Sequence, residues 1–307
     1  MQNLKVVFMG TPDFSVPILE YLINNTNVVL VVTQPDKEVG RDKKISYSPV
    51  KKVAVQYGKE VFQPIKIRND YQKILDVKPD LIITCAFGQI LPKEVLNAAR
   101  LGALNVHASL LPMYRGASPI QWALLNGDKK TGVTLMYMDQ QMDTGDIINQ
   151  MECDICDDDN VGSLHDKLSY LGVEIIKEEL PKIIAGTNNR QKQDDEKATY
   201  TKMIEREDEL IDFEDNGNNI INKIRAFNPW PLAYFKLCNN EIKVYEAYFE
   251  KKEIFETKKV ILSKNSLGIT CKDGIIYLTK IKPFGKKEMD IKSFINGLKK
   301  DDDLDVG

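Results

Sequence analysis

Short apolar runs, rich in β-branched residues, alternate with amphipathic segments along the first half of the chain. Residues 4–8, 28–32, 81–85 and 103–107 are apolar at nearly every position, the pattern of strands buried on both faces of a parallel sheet. Between them, 16–25, 49–57, 92–100 and 118–125 carry helical spacing, and proline stands near the start of several of these runs. A strand-like run at 133–138 and one long helical pattern over 161–186 close this part. Strand–helix alternation predicts right-handed βαβ units and an α/β, Rossmann-like, doubly wound parallel sheet over residues 1–186. Residues 187–205 are polar, charged and unpatterned, and read as a linker. From there to 307 the grammar changes. A helical run at 219–226 is stopped by Asn228-Pro-Trp-Pro231, and strand-like runs follow at 232–237, 242–249, 259–263, 268–271 and 275–281. Lys272-Asp273-Gly274 has the chemistry of a tight hairpin turn. Five short antiparallel strands point to a smaller C-terminal β-barrel of the OB kind, with an open sheet as the alternative.

Composition narrows the class. A hydrophobic fraction of 43% and a charged fraction of 28% are those of a globular protein with a real core. No stretch approaches the roughly 20 apolar residues of a membrane span. The chain enters a strand directly at its start, without a signal-peptide layout, so a cytoplasmic protein, working as a monomer, is expected. The five cysteines (85, 153, 156, 238 and 271) are scattered, and reduced thiols are the natural reading. Cys153-Asp-Ile-Cys156 has redox or zinc spacing but no second pair, and no metal is called for. Net charge is −3, so a nucleic-acid partner would have to meet a local basic surface. Residues 258–300 supply one, with eleven lysines against Asp273, Glu288 and Asp290, interleaved with Tyr277, Phe284 and Phe294.

The candidate chemistry lies at the ends of two strands. Side chains alternate along a strand, so Asn105 and His107 face the same side at the exit of 103–107. Asp143 follows the strand-like run 133–138, and in a doubly wound sheet the site lies outside the carboxyl ends of the strands. An amide, an imidazole and a carboxylate presented together suit transfer of an acyl group to an amine. Asn105 and His107 would donate to the oxygen that becomes negative, while Asp143 orients the ring and relays the amine proton. His165, in Gly162-Ser-Leu-His165, has no such companions and reads as structural. Gly10-Thr-Pro-Asp-Phe-Ser15 follows the first strand where a dinucleotide-binding protein carries Gly-x-Gly-x-x-Gly. Only its first glycine is present, which disfavours a nicotinamide oxidoreductase.

Asn105-x-His107, Ser109-Leu-Leu-Pro112 and Asp143-x-Gly145 together resemble the folate-dependent formyltransferases. Phe8-Met-Gly-Thr-Pro-Asp-Phe-Ser15, Thr33-Gln-Pro-Asp36, Gly40-Arg41 and Tyr114-Arg-Gly116 narrow the resemblance to the methionyl-tRNA formyltransferases, over essentially the whole chain. The resemblance implies 10-formyltetrahydrofolate as co-substrate and methionyl initiator tRNA, gripped at its acceptor stem, as partner. It places the folate against Ser109, Leu110, Leu111 and Pro112, with Phe87, Gly88 and Ile90 completing the pterin pocket. The bond before Pro112 is a candidate cis peptide. It makes the loop around Arg41, Lys43 and Lys44 the element that tests the first base of the tRNA, a guanidinium being able to stack and donate bidentately where lysine cannot. Lys282, Lys286 and Lys287 are the expected stem contacts. Two positions depart from the family pattern: Met113 stands where arginine is usual, leaving Arg115 as the nearby charge, and Asp42 replaces a second glycine. Formylation of an amino sugar nucleotide by the same catalytic unit is the competing enzyme reading, and a noncatalytic tRNA-binding protein is the competing class. The basic loop and second domain speak against the first, and the intact Asn105, His107 and Asp143 against the second.

Overall fold

The computed structural model describes residues 1–39, 44–298 and 304–306. Its contacts divide the chain into two compact units: 1–116, 130–154 and 165–201 in the first, and 117–129, 155–164 and 202–307 in the second. This cut differs from the expected 1–186, 187–205 and 206–307, because residues 187–201 are hydrogen-bonded into the first unit and are no free linker.

The first unit opens with β1 (Lys5–Gly10), α1 (Val16–Asn25) and β2 (Asn27–Val32), then a small hairpin of β3 (Lys37–Val39) and β4 (Lys44–Ser46). Next come α2 (Pro49–Gln56), β5 (Val61–Phe62), α3 (Gln72–Asp76), β6 (Leu81–Cys85), α4 (Lys93–Leu96), β7 (Ala103–His107) and the short β8 (Arg115–Gly116). After α5 (Pro119–Leu125), which groups with the second unit, the chain returns as the antiparallel pair β9 (Lys130–Tyr137) and β10 (Ile147–Asp154). α6 (Val161–Ala185) and β11 (Tyr200–Thr201) complete it.

These strands form a seven-stranded sheet in the order β10-β9-β7-β6-β1-β2-β5. The five from β7 to β5 are parallel, and every residue of β6 is buried, as the unbroken apolar run requires. Val7, Met9, Leu30, Val32 and Ile82 share one core cluster with Phe87 and Leu91 from the loop beyond β6. Each such side chain stabilises the fold by about 1.5–3 kcal/mol relative to exposure. The register sets Gly10 opposite Cys85 and Thr84 opposite Asn105, so the carboxyl ends of β1, β6 and β7 open together. The chain leaves β1 toward β2 on one side and returns to β6 on the other, which is the switch point where such sheets bind ligands.

Two local expectations differ. The helix expected over 92–100 stops at Leu96, because Leu101 N–H donates to the Asp80 carbonyl and the chain bends at Gly102 to feed β7. The edge strand β10 had no conspicuous apolar run, since beyond Ile148 only one face is half-buried.

In the second unit α7 (Gly217–Phe227) lays Ile220, Ile224 and Phe227 on one apolar face. It packs on an antiparallel sheet of β12 (Tyr234–Leu237), β13 (Asn240–Lys251), β14 (Val260–Leu262), β15 (Leu267–Cys271), β16 (Gly274–Pro283) and β17 (Met289–Asp290), followed by α8 (Ile291–Asn296). The path β12-β13-β16-β15-β14 is open at both ends, with β17 paired to β16, which makes a half-barrel and resolves the alternative left by the sequence. Register shifts on either side of Glu246 bend the long β13 into that curl. Among the described residues no helix is long and apolar enough to cross a membrane.

Candidate functional site

β7 brings the amide and the imidazole together. Asn105 and His107, two residues apart, both approach Asp143: Asn105 Nδ2 lies 3.5 Å from Oδ1 and His107 Nδ1 lies 3.8 Å from Oδ2. Neither is a close hydrogen bond, so the three groups converge with unspent donor and acceptor capacity. Their orientations are fixed from behind. Thr84 Oγ donates to Asn105 Oδ1 at 2.8 Å, which leaves the amide nitrogen facing the carboxylate. His107, buried to 7% exposure, places Nε2 2.9 Å from the Tyr114 carbonyl oxygen. That oxygen can only accept, so Nε2 carries a proton, and in the neutral form of the ring the lone pair is the one at Nδ1, toward Asp143. The expectation that His107 donates to a developing oxyanion therefore applies only to the protonated ring. Asn105 donates in either state.

Asp143 arrives by a route the strand pattern did not show. β9 runs antiparallel to β7, with Tyr137 opposite Leu104 and Thr134 opposite His107, so its carboxyl end lies at the wrong end of the sheet. The turn between β9 and β10 carries Asp143 back to the exit of β7. There Asp143 adopts φ +54°, a left-handed conformation aspartate tolerates better than most residues. Tyr114 (φ +61°) and Ala86 (φ +49°) are also left-handed, and such strained residues gather where a site over-determines the backbone. Gly116 N–H donates to Asp143 Oδ2 at 2.9 Å. Gly116 has φ +109°, and an added Cβ would sit 2.4 Å from the Thr201 carbonyl oxygen. Gly116→Ala should therefore lower stability by about 1–3 kcal/mol and displace the donor holding Asp143. Thermal melts and initial rates should fall together, and a variant normal in both would contradict the placement.

The expected folate residues separate into two groups. Gly88 and Ile90 line a cavity of about 360 Å³ with Gln34, Ile65, Lys66, Arg68 and Gln89. Ile90 is 72% exposed. Among the described residues the backbone amides of 88–91 have no hydrogen-bond partner, which fits a flat heterocycle with polar edges. Phe87 packs in the core below, and its carbonyl accepts from Gln34 Nε2 at 2.9 Å. Ser109, Leu110, Leu111 and Pro112 form the wall past β7. Ser109 is buried and bonds the Met113 carbonyl, while Leu111 packs with Met136 and Ile147. The Leu111–Pro112 bond is cis. Ser109 and Leu111 thus shape this wall from the inside and do not present side chains to a ligand. Arg115, the charge that remains beside Met113, is 1% exposed and bonded to Gln193, Tyr200 and Asp195. Burial works against its charge, but the bonds it donates to Asp195 and Tyr200 outweigh that and raise its pKa.

Arg41 and Lys43 lie outside the described residues, and Lys44 begins β4. The base of this hairpin is anchored by Asp36, which accepts from Lys51 and Gln63. The Lys51 ammonium, then the Gln63 amide, hold its carboxyl below the usual range. In the second unit Lys282, Lys286 and Lys287 are exposed, and Lys282 stands opposite Lys243 in the sheet register. Lys258, Lys259 and Lys280 are paired with Glu214, Glu256 and Glu288, so part of the lysine excess is neutralised locally. Among the described residues no group of three or more His, Cys, Asp or Glu could hold a metal ion. His165 stacks edge-on against Phe14.

Sequence reasoning placed Thr84 among the strand ends at the site without a role, and gave no role to Gln34, Gly116 and Gln193. Gly116 and Gln34 were within reach, since they belong to Tyr114-Arg-Gly116 and Thr33-Gln-Pro-Asp36. Gln193 carries no local signal.

Comparison with known proteins gives a consistent picture. The family described as Formyl transferase matches residues 4–180, and Formyl transferase, C-terminal domain, matches 203–299. The Bacillus subtilis (strain 168) protein named Methionyl-tRNA formyltransferase is 46% identical over 299 residues, 95% of this chain and 94% of its own. The protein of the same name from Geobacillus sp. (strain WCH70) is 48% identical over 300 residues, 96% and 94% of the two chains. Among solved structures, WlaRD, a sugar 3N-formyl transferase crystallised in the presence of dTDP and 5-N-formyl-THF, superposes with a TM-score of 0.67 over 94% of this chain and all of that one. Its identity of 22% speaks to the fold alone.

Proposed function

The chain belongs to the Formyl transferase family, and from that premise we infer that it transfers the formyl group of 10-formyltetrahydrofolate to the α-amino group of methionyl initiator tRNA. The observation that carries the reading is the convergence of the Asn105 amide, the His107 imidazole and the Asp143 carboxylate at the shared exit of β6 and β7.

The roles follow from the geometry. The amine nitrogen forms a bond to the formyl carbon, and the bond from that carbon to the folate nitrogen breaks. Asn105 Nδ2 donates to the formyl oxygen as it becomes negative, a preorganised donor of this kind being worth about 3 kcal/mol. His107 Nδ1 takes the proton the amine gives up and holds it for the departing folate nitrogen, so protons balance. Asp143 stabilises the imidazolium across the short gap between them. The formylfolate lies with its flat ring against Gly88 and Ile90 and its reacting end at the exit of β7, bounded by Leu110 and Pro112 on the wall that Ser109, Leu111 and Phe87 support from behind. The acceptor stem of the tRNA meets Arg41, Lys43 and Lys44, and Lys282, Lys286 and Lys287 on the half-barrel. The proposed setting is a cytoplasmic monomer.

The test is to incubate the protein with labelled formylfolate and either initiator or elongator methionyl-tRNA. Label on the initiator species is expected, and label on a small amine alone, with both tRNAs untouched, would replace this reading with the amino-sugar one. A second measurement bears on the RNA surface. Changing Lys282, Lys286 and Lys287 together to Ala should weaken tRNA binding and flatten the dependence of affinity on salt, since each lost phosphate contact removes roughly one unit of slope. An unchanged slope would take these lysines out of the footprint.

A further inference from the structure

Residues 187–201 belong to the stretch 187–205 that reads as a linker in the sequence, yet they are wired to both loops that build the site. Gln191 and Ile147 exchange backbone hydrogen bonds at 2.7 and 2.8 Å, alongside the turn that carries Asp143. Arg190 bonds Asp146 at 2.7 Å and lies 4.4 Å over the Tyr137 ring. On the other side Thr199 O accepts from Arg115 N–H, Thr199 Oγ accepts from Tyr114 N–H, and β11 pairs with β8. Between these two seams sits Gln193, only 6% exposed. Its Nε2 donates to the carbonyl oxygens of Asp143 and Gly145, each at 2.8 Å. Its Oε1 accepts from Arg115 Nε at 3.1 Å and Nη2 at 2.9 Å.

We propose that Gln193, clamped by the buried Arg115, is a positioning residue for formyl transfer: it holds the left-handed turn that aims the Asp143 carboxylate at His107. This rests on the reading of Asp143 as the working carboxylate. The turn has a specific need for it. The carbonyls of Asp143 and Gly145 point inward, and a buried carbonyl without a donor is costly. Gln193 satisfies both at once, and Arg115 fixes which end of the amide faces them, because a guanidinium only donates. The same clamp joins the turn to β8, whose Gly116 N–H holds the carboxylate itself. The link from Arg115 to Asp143 therefore runs through one neutral side chain that touches no reacting atom.

Gln193→Met keeps the volume and removes all four bonds. Steady-state formylation by Gln193→Met and Gln193→Glu, each alone and combined with Asp143→Asn, tests the proposal. Gln193→Met should lower kcat by roughly 10–100-fold, as loss of a supporting shell commonly does, with KM for formylfolate and for tRNA within about twofold of normal. In the Asp143→Asn background the same change should have almost no further effect, since there is no carboxylate left to aim. Gln193→Glu keeps the Arg115 contact but sets a carboxylate against two carbonyls, and should show the same kcat loss. It also decides the matter if Gln193→Met melts below the assay temperature. An equal loss in both backgrounds, or a loss confined to KM, would overturn the positioning role. Normal kcat for Gln193→Met or Gln193→Glu, beside an inactive Asp143→Asn, would overturn this proposal alone. Normal turnover of Asp143→Asn would overturn the carboxylate's role and this proposal with it.

Discussion

Asp143→Asn should lower kcat for formyl transfer by roughly three orders of magnitude, the scale associated with a group acting on the proton in flight, while the thermal melt should stay within a few degrees of the parent. The substitution is nearly isosteric. An amide oxygen at the same place still accepts from Gly116 N–H, so the 2.9 Å bond that fixes the turn survives. What disappears is the charge opposite His107 Nδ1, and with it the stabilisation of an imidazolium across 3.8 Å. On the proposed reading formylfolate is held by the 88–91 loop, so its binding should be retained. Fluorescence titration with a folate analogue alongside single-turnover rates separates the two effects. Turnover near normal would remove Asp143 from the chemistry.

The second large effect is at His107. His107→Gln can still donate to the Tyr114 carbonyl, the bond the native ring makes through Nε2 at 2.9 Å. It has no basic atom where Nδ1 stood. A fall in kcat of about 10²–10⁴ with little change in KM is expected, the signature of an interaction made only in the transition state. If KM rose and kcat held, the ring would serve to bind the substrate and Asn105 would carry the oxygen unaided. Combining His107→Gln with Asp143→Asn should give less than the product of the two losses, because both act on one proton.

How far the site was legible varies residue by residue. Asn105 and His107 share a face because a strand has a period of two, so their alliance could be read from spacing alone. Asp143 could be nominated by its neighbours but not located, since β9 proves antiparallel and its carboxyl end points away from the site. Arg115 was legible only as the charge remaining beside Met113, whereas its own burial and its bonds to Gln193, Asp195 and Tyr200 make it structural. Leu111 looked like a wall facing the ligand, and it packs inward on Met136 and Ile147. Composition described 187–201 as unpatterned because its long-range bonds go to partners 44–87 residues away, and no local periodicity records those.

By itself the amino-acid order determined the alternation of buried strands and helices, the change of grammar after residue 205, and the pairing of an amide with an imidazole. Each of these depends on neighbours within a turn or a strand, where periodicity is set by backbone geometry. Only the tertiary structure decided that the half-barrel stays open, that the β9–β10 turn doubles back to the exit of β7, and that Gln193 ties this turn to Arg115. Those outcomes depend on long-range hydrogen bonds made after the chain has closed on itself, and residues that meet only then need share no spacing in the sequence.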